Sequence, residues 1–369
     1  MAHYFVYPDK DAMMRKGAFA EGTSSQKNYG LDEILEIGKT FTQDSNVVNS
    51  TTRALIKFSI TEISKSVSDG SIGSDAEYYL NLYDAGSFEL MRDNSLYGYA
   101  ASQSWDEGSG RLSDMPQSEE GVSWRYRTGV SESLEWKSGS QNDWGGTYYS
   151  GSGYEASQSF NKDESHDMRM NVTDIVTQWL NGSVSNDGFL IKMLGIDEVN
   201  TARYGLYKFF SSDTHTVYAP RLEAVWDDAT WSTGSLTAID TDELGKLQVY
   251  MTSFKGEYKK GALTKIRVHG RQRYPARTFS TTSSYLDVQY LPSASCFYSI
   301  VDSKTEDVII PFGSSSKLSC DTTGNFFRLR TEGLYPERFY RVLFKVASGS
   351  GITQSTEYYD GDHSFKVVR

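Results

Sequence analysis

The chain has 369 residues, a formal net charge of −11, 38% apolar residues and 14% aromatic residues, among them 25 Tyr, 18 Phe and 7 Trp. That length fits two or three domains, each with its own core, and that aromatic content excludes a disordered chain. The charge is uneven: residues 1–228 hold 19 Lys/Arg against 34 Asp/Glu, while residues 229–369 hold 18 against 14. An acidic front half repels phosphate backbones, which disfavours a nucleic-acid partner.

Tyr4-Phe5-Val6-Tyr7 reads as a first short strand. After a turn-rich stretch come residues 34–38 and then 53–60. In the latter, Ala54, Ile56, Phe58 and Ile60 alternate with Leu55, Lys57 and Ser59, the period of a strand with one buried face. Residues 78–83 and 88–91 read the same way, and 123–127 alternate aromatic with polar side chains. The Gly- and Ser-rich stretch 137–159 reads as a polar loop or hairpin set.

One helix stands out. Val172, Ile175, Val176, Trp179 and Leu180 form a single apolar stripe, with Asn171 placed to cap its start and Gly182 to stop it. Strands follow at 188–193, 207–210 and 221–226. The acidic, small-residue stretch after Trp226 reads as a domain boundary, with 229–245 as a linker. Beyond it lie strand runs at 246–250, 263–268, 285–288, 297–301, 307–310, 326–329, 340–346 and 364–368, spaced as in a β-sandwich. With 32 Gly and 7 Pro and hardly any long helical pattern, the whole chain is expected to be all-β.

The first ten residues lack a basic segment followed by an apolar one, so secretion is not expected. No apolar run is long enough to cross a bilayer, so no membrane partner is expected either. Cys296 and Cys320 are too few for a disulfide framework and read as free thiols, a bridge between them being the alternative.

Four segments of the front half occur in a familiar order. They are Asn28-Tyr29-Gly30 leading to Leu35-Glu36-Ile37-Gly38; Arg53-Ala54-Leu55-Ile56-Lys57-Phe58; the helix with Trp179 followed by Asn186-Asp187-Gly188-Phe189-Leu190-Ile191; and Phe209-Phe210-Ser211-Ser212 ending in Pro220-Arg221-Leu222-Glu223. In this, residues 1–228 resemble the DNRLRE-type jelly-roll, a β-sandwich of carbohydrate-associated proteins and of some bacteriophage particle proteins. The long region 95–165 departs from that pattern as an insertion. In the rear half, Leu334, Pro336 and Tyr340 form a Leu-x-Pro-x-x-x-Tyr pattern. It resembles the tyrosine corner of fibronectin type III and immunoglobulin-like sandwiches, with Tyr340 as the corner residue. These likenesses imply a jelly-roll-like sandwich with one short helix at 1–228 and an immunoglobulin-like sandwich at 246–369.

Chemistry is sparse. His3, His166, His215, His269 and His363 show no metal-ligand spacing, and no cofactor motif or nucleophile elbow occurs. Asp106-Glu107, Glu119-Glu120 and Asp163-Glu164 are candidate glycosidase acids, with solvated surface as the plainer reading. Asp240-Thr241-Asp242-Glu243 lacks the glycine and distal Glu of a calcium loop. Trp105, Trp124, Trp136 and Trp144 crowd into one span beside Tyr148. A glycan platform of Trp105, Trp136, Trp144 and Tyr148 is the sharper reading, and core or interface filling the plainer one.

The combination resembles virion structural proteins of contractile-tailed bacteriophages. That likeness implies a non-enzymatic component of tail, baseplate, neck or head decoration, assembled in the host cytoplasm without cofactors. Its partners would be other virion proteins or further copies of itself, with a host surface glycan as a further candidate. A carbohydrate-binding adhesion module and a polysaccharide-degrading enzyme are the alternatives.

Overall fold

The computed structural model describes residues 3–17, 23–41, 48–88, 90–130, 134–138, 141–142, 144–275, 287–348 and 355–369. The chain is all-β with few helices, as its composition predicts. It divides into two compact units. The front unit comprises Val6–Ser71 and Glu77–Glu223; the rear unit comprises Met1–Phe5, Ile72–Ala76 and Ala224–Arg369.

Strand β1 (His3–Val6) carries the chain from the rear unit into the front one. The front unit then runs β2 (Pro8–Lys16), β3 (Ile34–Phe41), β4 (Val48–Phe58), α1 (Thr61–Ser68), β5 (Glu77–Leu82), β6 (Asn94–Ala100), β7 (Lys137–Ser138), β8 (Gln141–Asn142) and β9 (Glu155–Phe160). It continues with β10 (Met168–Asn171), α2 (Thr173–Leu180), β11 (Phe189–Met193), α3 (Gly195–Val199), β12 (Leu206–Phe210) and β13 (Arg221–Val225), along which the chain leaves. Its large sheet has the order β12-β3-β4-β11-β6-β9, with β2 also paired to β4. A smaller sheet carries β13-β5-β10. The two sheets pack closely: a Cβ added at Gly98 on β6 would sit 3.0 Å from Met170 Sδ on β10.

Strand β4 departs from its sequence pattern in an informative way. Alternation predicts one buried face, yet Ala54, Leu55 and Ile56 are all fully buried. On one side, Phe58 meets Phe189 edge-on at 6.2 Å, and Trp179 of α2 meets Phe189 at 4.7 Å. On the other, Leu55 joins Ala12, Met14 and Leu190 beneath Trp105, Trp124 and Trp136. The insertion-like region therefore folds back as a cover over the outer face of the sheet and builds a second core there.

Helix α2 forms where its apolar stripe predicts. The N-cap position falls on Val172, without a side-chain cap; Asn171, expected there, lies one residue earlier, and its Oδ1 accepts from the Thr173 N–H at 3.0 Å. At the other end, the Gly182 N–H donates to Trp179 O at 3.1 Å and the Ser183 N–H to Gln178 O at 3.0 Å, with Gly182 at φ +69. This pair of bonds is a Schellman stop, which requires a left-handed residue. Helices α1 and α3 were not expected; α1 buries only Ile63, so it shows no stripe.

The rear unit runs β14 (Thr237–Ala238), β15 (Leu247–Thr252), β16 (Glu257–Lys259), β17 (Leu263–Gln272), β18 (Gln289–Tyr290), β19 (Cys296–Asp302), β20 (Val308–Ile310), β21 (Ser319–Asp321), β22 (Gly324–Arg330), β23 (Phe339–Ser348) and β24 (Ser355–Val368). Its two main sheets have the orders β15-β17-β22-β21 and β16-β24-β23-β19-β20. They face each other as a sandwich, with Tyr298 of β19 stacked on Phe327 of β22 at 4.6 Å. Residues 229–245, expected as a linker, are folded into this unit: Ile239 and Leu244 belong to its core, and the Cys320 N–H bonds Thr230 O at 2.9 Å. The N-terminal segment is equally integral, with His3 Nε2 2.7 Å from Ser315 Oγ. Gly333, at φ +75, packs so tightly on Phe5 that a Cβ there would lie 2.5 Å from the Phe5 Cβ.

Some strand expectations fail. Residues 123–127 form a tight turn, closed by the Ser123 N–H to Tyr126 O at 2.8 Å and the Tyr126 N–H to Ser123 Oγ at 3.0 Å. Of 88–91, Phe88 makes an isolated bridge to Leu206 and residue 89 lies outside the described residues. Of the run at 285–288, residues 285–286 lie outside them too, and Asp287 and Val288 are not in a strand.

Candidate functional site

Two residues of the expected aromatic platform lie inside the core. Trp105 and Trp136 are 1% and 0% exposed. Trp105 Nε1 donates to Asp187 O at 2.9 Å, and Trp136 Nε1 to Ser123 O at 3.0 Å. Both indoles satisfy their one polar atom internally, the signature of core tryptophan. Trp144 and Tyr148 are half-buried and pack against the same cluster, and the Arg125 guanidinium lies 4.9 Å from the Trp144 ring. Two of its three indoles are thus sealed in the cover. The physical reason is the sheet face beneath, which needs large apolar groups to cover it.

The structural residues fall as their patterns predict. Trp179 is buried against β11. Tyr340 is buried, its hydroxyl accepts from the Tyr335 N–H at 2.9 Å, and Pro336 lies between them. That is the geometry of a tyrosine corner. Cys296 and Cys320 are free and buried, with burial pushing their thiols up to about 12 and about 11.

The candidate acids separate. Glu119 pairs with Lys27 at 2.6 Å, and Asp163 with Lys162 at 2.6 Å, both at the surface. Asp240 closes a local turn with the Asp242 N–H at 2.9 Å. Glu107 is different, because the fold brings it to Asp11 and Asp213, and one carboxylate oxygen of each lies within 4.8 Å of the other two.

Three devices set this cluster. Asp11 sits on β2, paired with Ile56 of β4. Glu107 is positioned by Asn28, which is fully buried. Asn28 Nδ2 donates to Glu107 O at 2.6 Å and Val122 O at 2.7 Å, while its Oδ1 accepts from the Gly110 N–H at 2.7 Å. Asp213 follows Ser211 in the turn after β12, where the Asp213 N–H bonds Ser211 Oγ at 3.1 Å.

The cluster is held together by backbone donors. The Asp11 N–H reaches Glu107 Oε1 at 2.9 Å, and the Ser212 N–H reaches Asp11 Oδ2 at 2.7 Å. Asp11 Oδ1 and Asp213 Oδ2 are buried without a hydrogen-bond partner. Burial pushes the Asp11 carboxyl up to about 7, against the lowering effect of Ser212 and helped by the charges of Glu107 and Asp213. Burial likewise raises Glu107 and Asp213 above the usual carboxylate range. Sequence reasoning singled out Glu107 but not its companions, which lie on remote segments.

Asp11 has no exposed surface, so a sugar cannot reach it as the cleft of a glycosidase requires. A separate cavity of about 280 Å³ lies at the start of α2, lined by Glu77, Glu155 and Asp174 among others. Three acids make it unsuited to anions.

No family model matches this sequence, and no curated protein does. Among solved structures, a DUF4785 family protein of Legionella pneumophila is similar at 8% identity and a TM-score of 0.22, over 100% of this chain and 62% of that one. A β-glucuronidase of Parabacteroides merdae follows at 7% identity and 0.15, over 96% of this chain and 35% of that one. The Fcho1 mu homology domain of Danio rerio stands at 10% and 0.15, over 98% and 93%. This chain thus spans less than two thirds of the first two, and likenesses at these TM-scores carry no argument about function.

Proposed function

We propose that the chain is a non-enzymatic structural component of a bacteriophage virion, acting through protein–protein interfaces. The observation that carries this reading is where the aromatic and acidic side chains lie. Trp105 and Trp136 serve a core rather than a sugar surface, and Asp11 of the carboxylate cluster has no exposed surface. The carbohydrate-binding reading keeps only the half-buried Trp144 and Tyr148 of its four aromatic residues. The tyrosine corner at Tyr340 adds support for an immunoglobulin-like rear sandwich, a fold that serves assembly in many settings. In the front unit, Ile196 and Val199 on α3 are 67% and 75% exposed, apolar points available for burial against another virion protein or a second copy.

Mass spectrometry of purified particles tests the proposal: the chain should be present at a fixed copy number, and imaging of the particle should place it in tail, baseplate, neck or head. Its absence from intact particles refutes the proposal. Ile196→Glu should weaken incorporation without lowering thermal stability.

A further inference from the structure

We infer that Asp11, Glu107 and Asp213 form a calcium-binding site in the front unit. Three carboxylates from three remote chain segments present oxygens within 4.8 Å of one another. Gathering like charges away from water is costly unless a counter-charge is supplied. The neighbouring cations do not supply it by contact. The Lys10 ammonium bonds the Trp105 carbonyl and lies 4.4 Å over its ring. Arg111 and His215 act on Asp213 only through longer-range attraction, and the His215 side chain is 89% exposed.

A second observation points to a ligand independently of the clustering. Asp11 has no exposed surface, its Oδ2 is bonded to the Ser212 N–H, and its Oδ1 remains buried with no donor. A fully buried carboxylate oxygen without a donor lacks the partner that buried polar atoms nearly always have. A cation bound among the three residues provides one.

The donor chemistry selects the ion. All three side chains offer hard carboxylate oxygens, with neither imidazole nor thiolate, which is the preference of calcium and magnesium. Magnesium keeps several waters and demands a regular octahedron at about 2.0–2.1 Å. Calcium accepts irregular oxygen sets at about 2.3–2.6 Å, and the solvent-free side of this site at Asp11 suits the ion that sheds water more readily. Bound there, calcium would tie β2, the Asn28-pinned loop and the turn after β12 into one structure.

The test uses the full chain, stripped with EDTA and titrated with calcium or magnesium chloride by calorimetry and thermal denaturation. Terbium luminescence, excited through the protein's aromatic side chains, adds a readout that does not depend on stability. Calcium should bind with one ion per chain, raise the melting temperature and displace terbium. Glu107→Gln and Asp213→Asn, both at partly exposed positions, should retain the wild-type circular dichroism spectrum and lose roughly tenfold or more in calcium affinity. Asp163→Asn, at the surface, should bind as the wild type does. Absence of calcium binding up to about 1 mM, or wild-type affinity in both site variants, overturns the inference. Equal affinity for magnesium overturns the assignment to calcium.

Discussion

Glu198 is the carboxylate whose loss should be felt most in the front unit. It lies on α3 and receives Arg53 of β4 through two bonds, Nε to Oε1 at 2.9 Å and Nη2 to Oε2 at 2.7 Å. Lys192 of β11 approaches the same Oε2 at 3.2 Å. The side chains of Glu198, Arg53 and Lys192 are 6%, 11% and 4% exposed, so little water is at hand to replace the carboxylate. Glu198→Ala leaves two buried cations facing each other, a change that costs about 3–5 kcal/mol. Arg53 keeps its bond to Gly145 O at 2.7 Å and its stacking on Trp124 at 4.7 Å, which argues for the lower end of that range. At about 2–4 °C per kcal/mol for a unit of this size, the expected fall in the front unit's melting temperature is roughly 6–12 °C. Differential scanning calorimetry reads it directly, and urea denaturation gives the free energy. A shift under about 2 °C would show that the buried charge is not what holds α3 to the sheet.

Tyr340→Phe removes the hydroxyl that accepts the Tyr335 N–H and should cost about 1–3 kcal/mol in denaturant unfolding of the rear unit; a change below half a kcal/mol would deny the corner a stabilising role. Trp136→Ala empties the middle of the cover and should cost about 3–5 kcal/mol, whereas the half-buried Trp144 should tolerate alanine better; the reverse order by thermal melting would contradict the assignment of core and rim. Asp321 is held well below the usual carboxylate range by Arg267 and Lys265. Asp302 is lowered too, because bonds from the Lys304 and Thr305 N–H groups and Arg338 outweigh its burial. Depressed carboxylates contribute stability that is complete above their unfolded pKa of about 4 and is lost as the pH falls through their folded values. Rear-unit melting should therefore fall below about pH 4, less steeply in Asp321→Asn.

The sequence exposes what depends on local pattern. Helix α2 carries its stripe and its Gly182 stop within a dozen residues, and Tyr340 announces its corner through Leu334 and Pro336. Strand β2 was missed because its sequence, Pro-Asp-Lys-Asp-Ala-Met-Met-Arg-Lys, buries four consecutive residues and so lacks a period of two. The second face of β4 was missed for a related reason: its cover comes from residues far along the chain, and a burial pattern reports only that a face is apolar. The tryptophan cluster was visible, but composition does not distinguish stacking on a sugar from stacking on a sheet. The carboxylate cluster is the extreme case. Asp11 and Glu107 are 96 positions apart, and the buried pin at Asn28 holds Glu107 where the Asp11 N–H reaches it.

The interleaved path of the chain constrains how the protein can be made and divided. The rear unit owns the first five residues and Ile72–Ala76, yet most of it begins at Ala224. During synthesis, His3 emerges long before Ser315, its partner 312 positions later. The rear unit completes only when the last strands arrive, a long-range pairing of the slow-folding kind. A single cut near residue 224 therefore does not yield two whole units. It leaves the rear fragment without the β1 segment and without the cushion that Phe5 provides for Gly333.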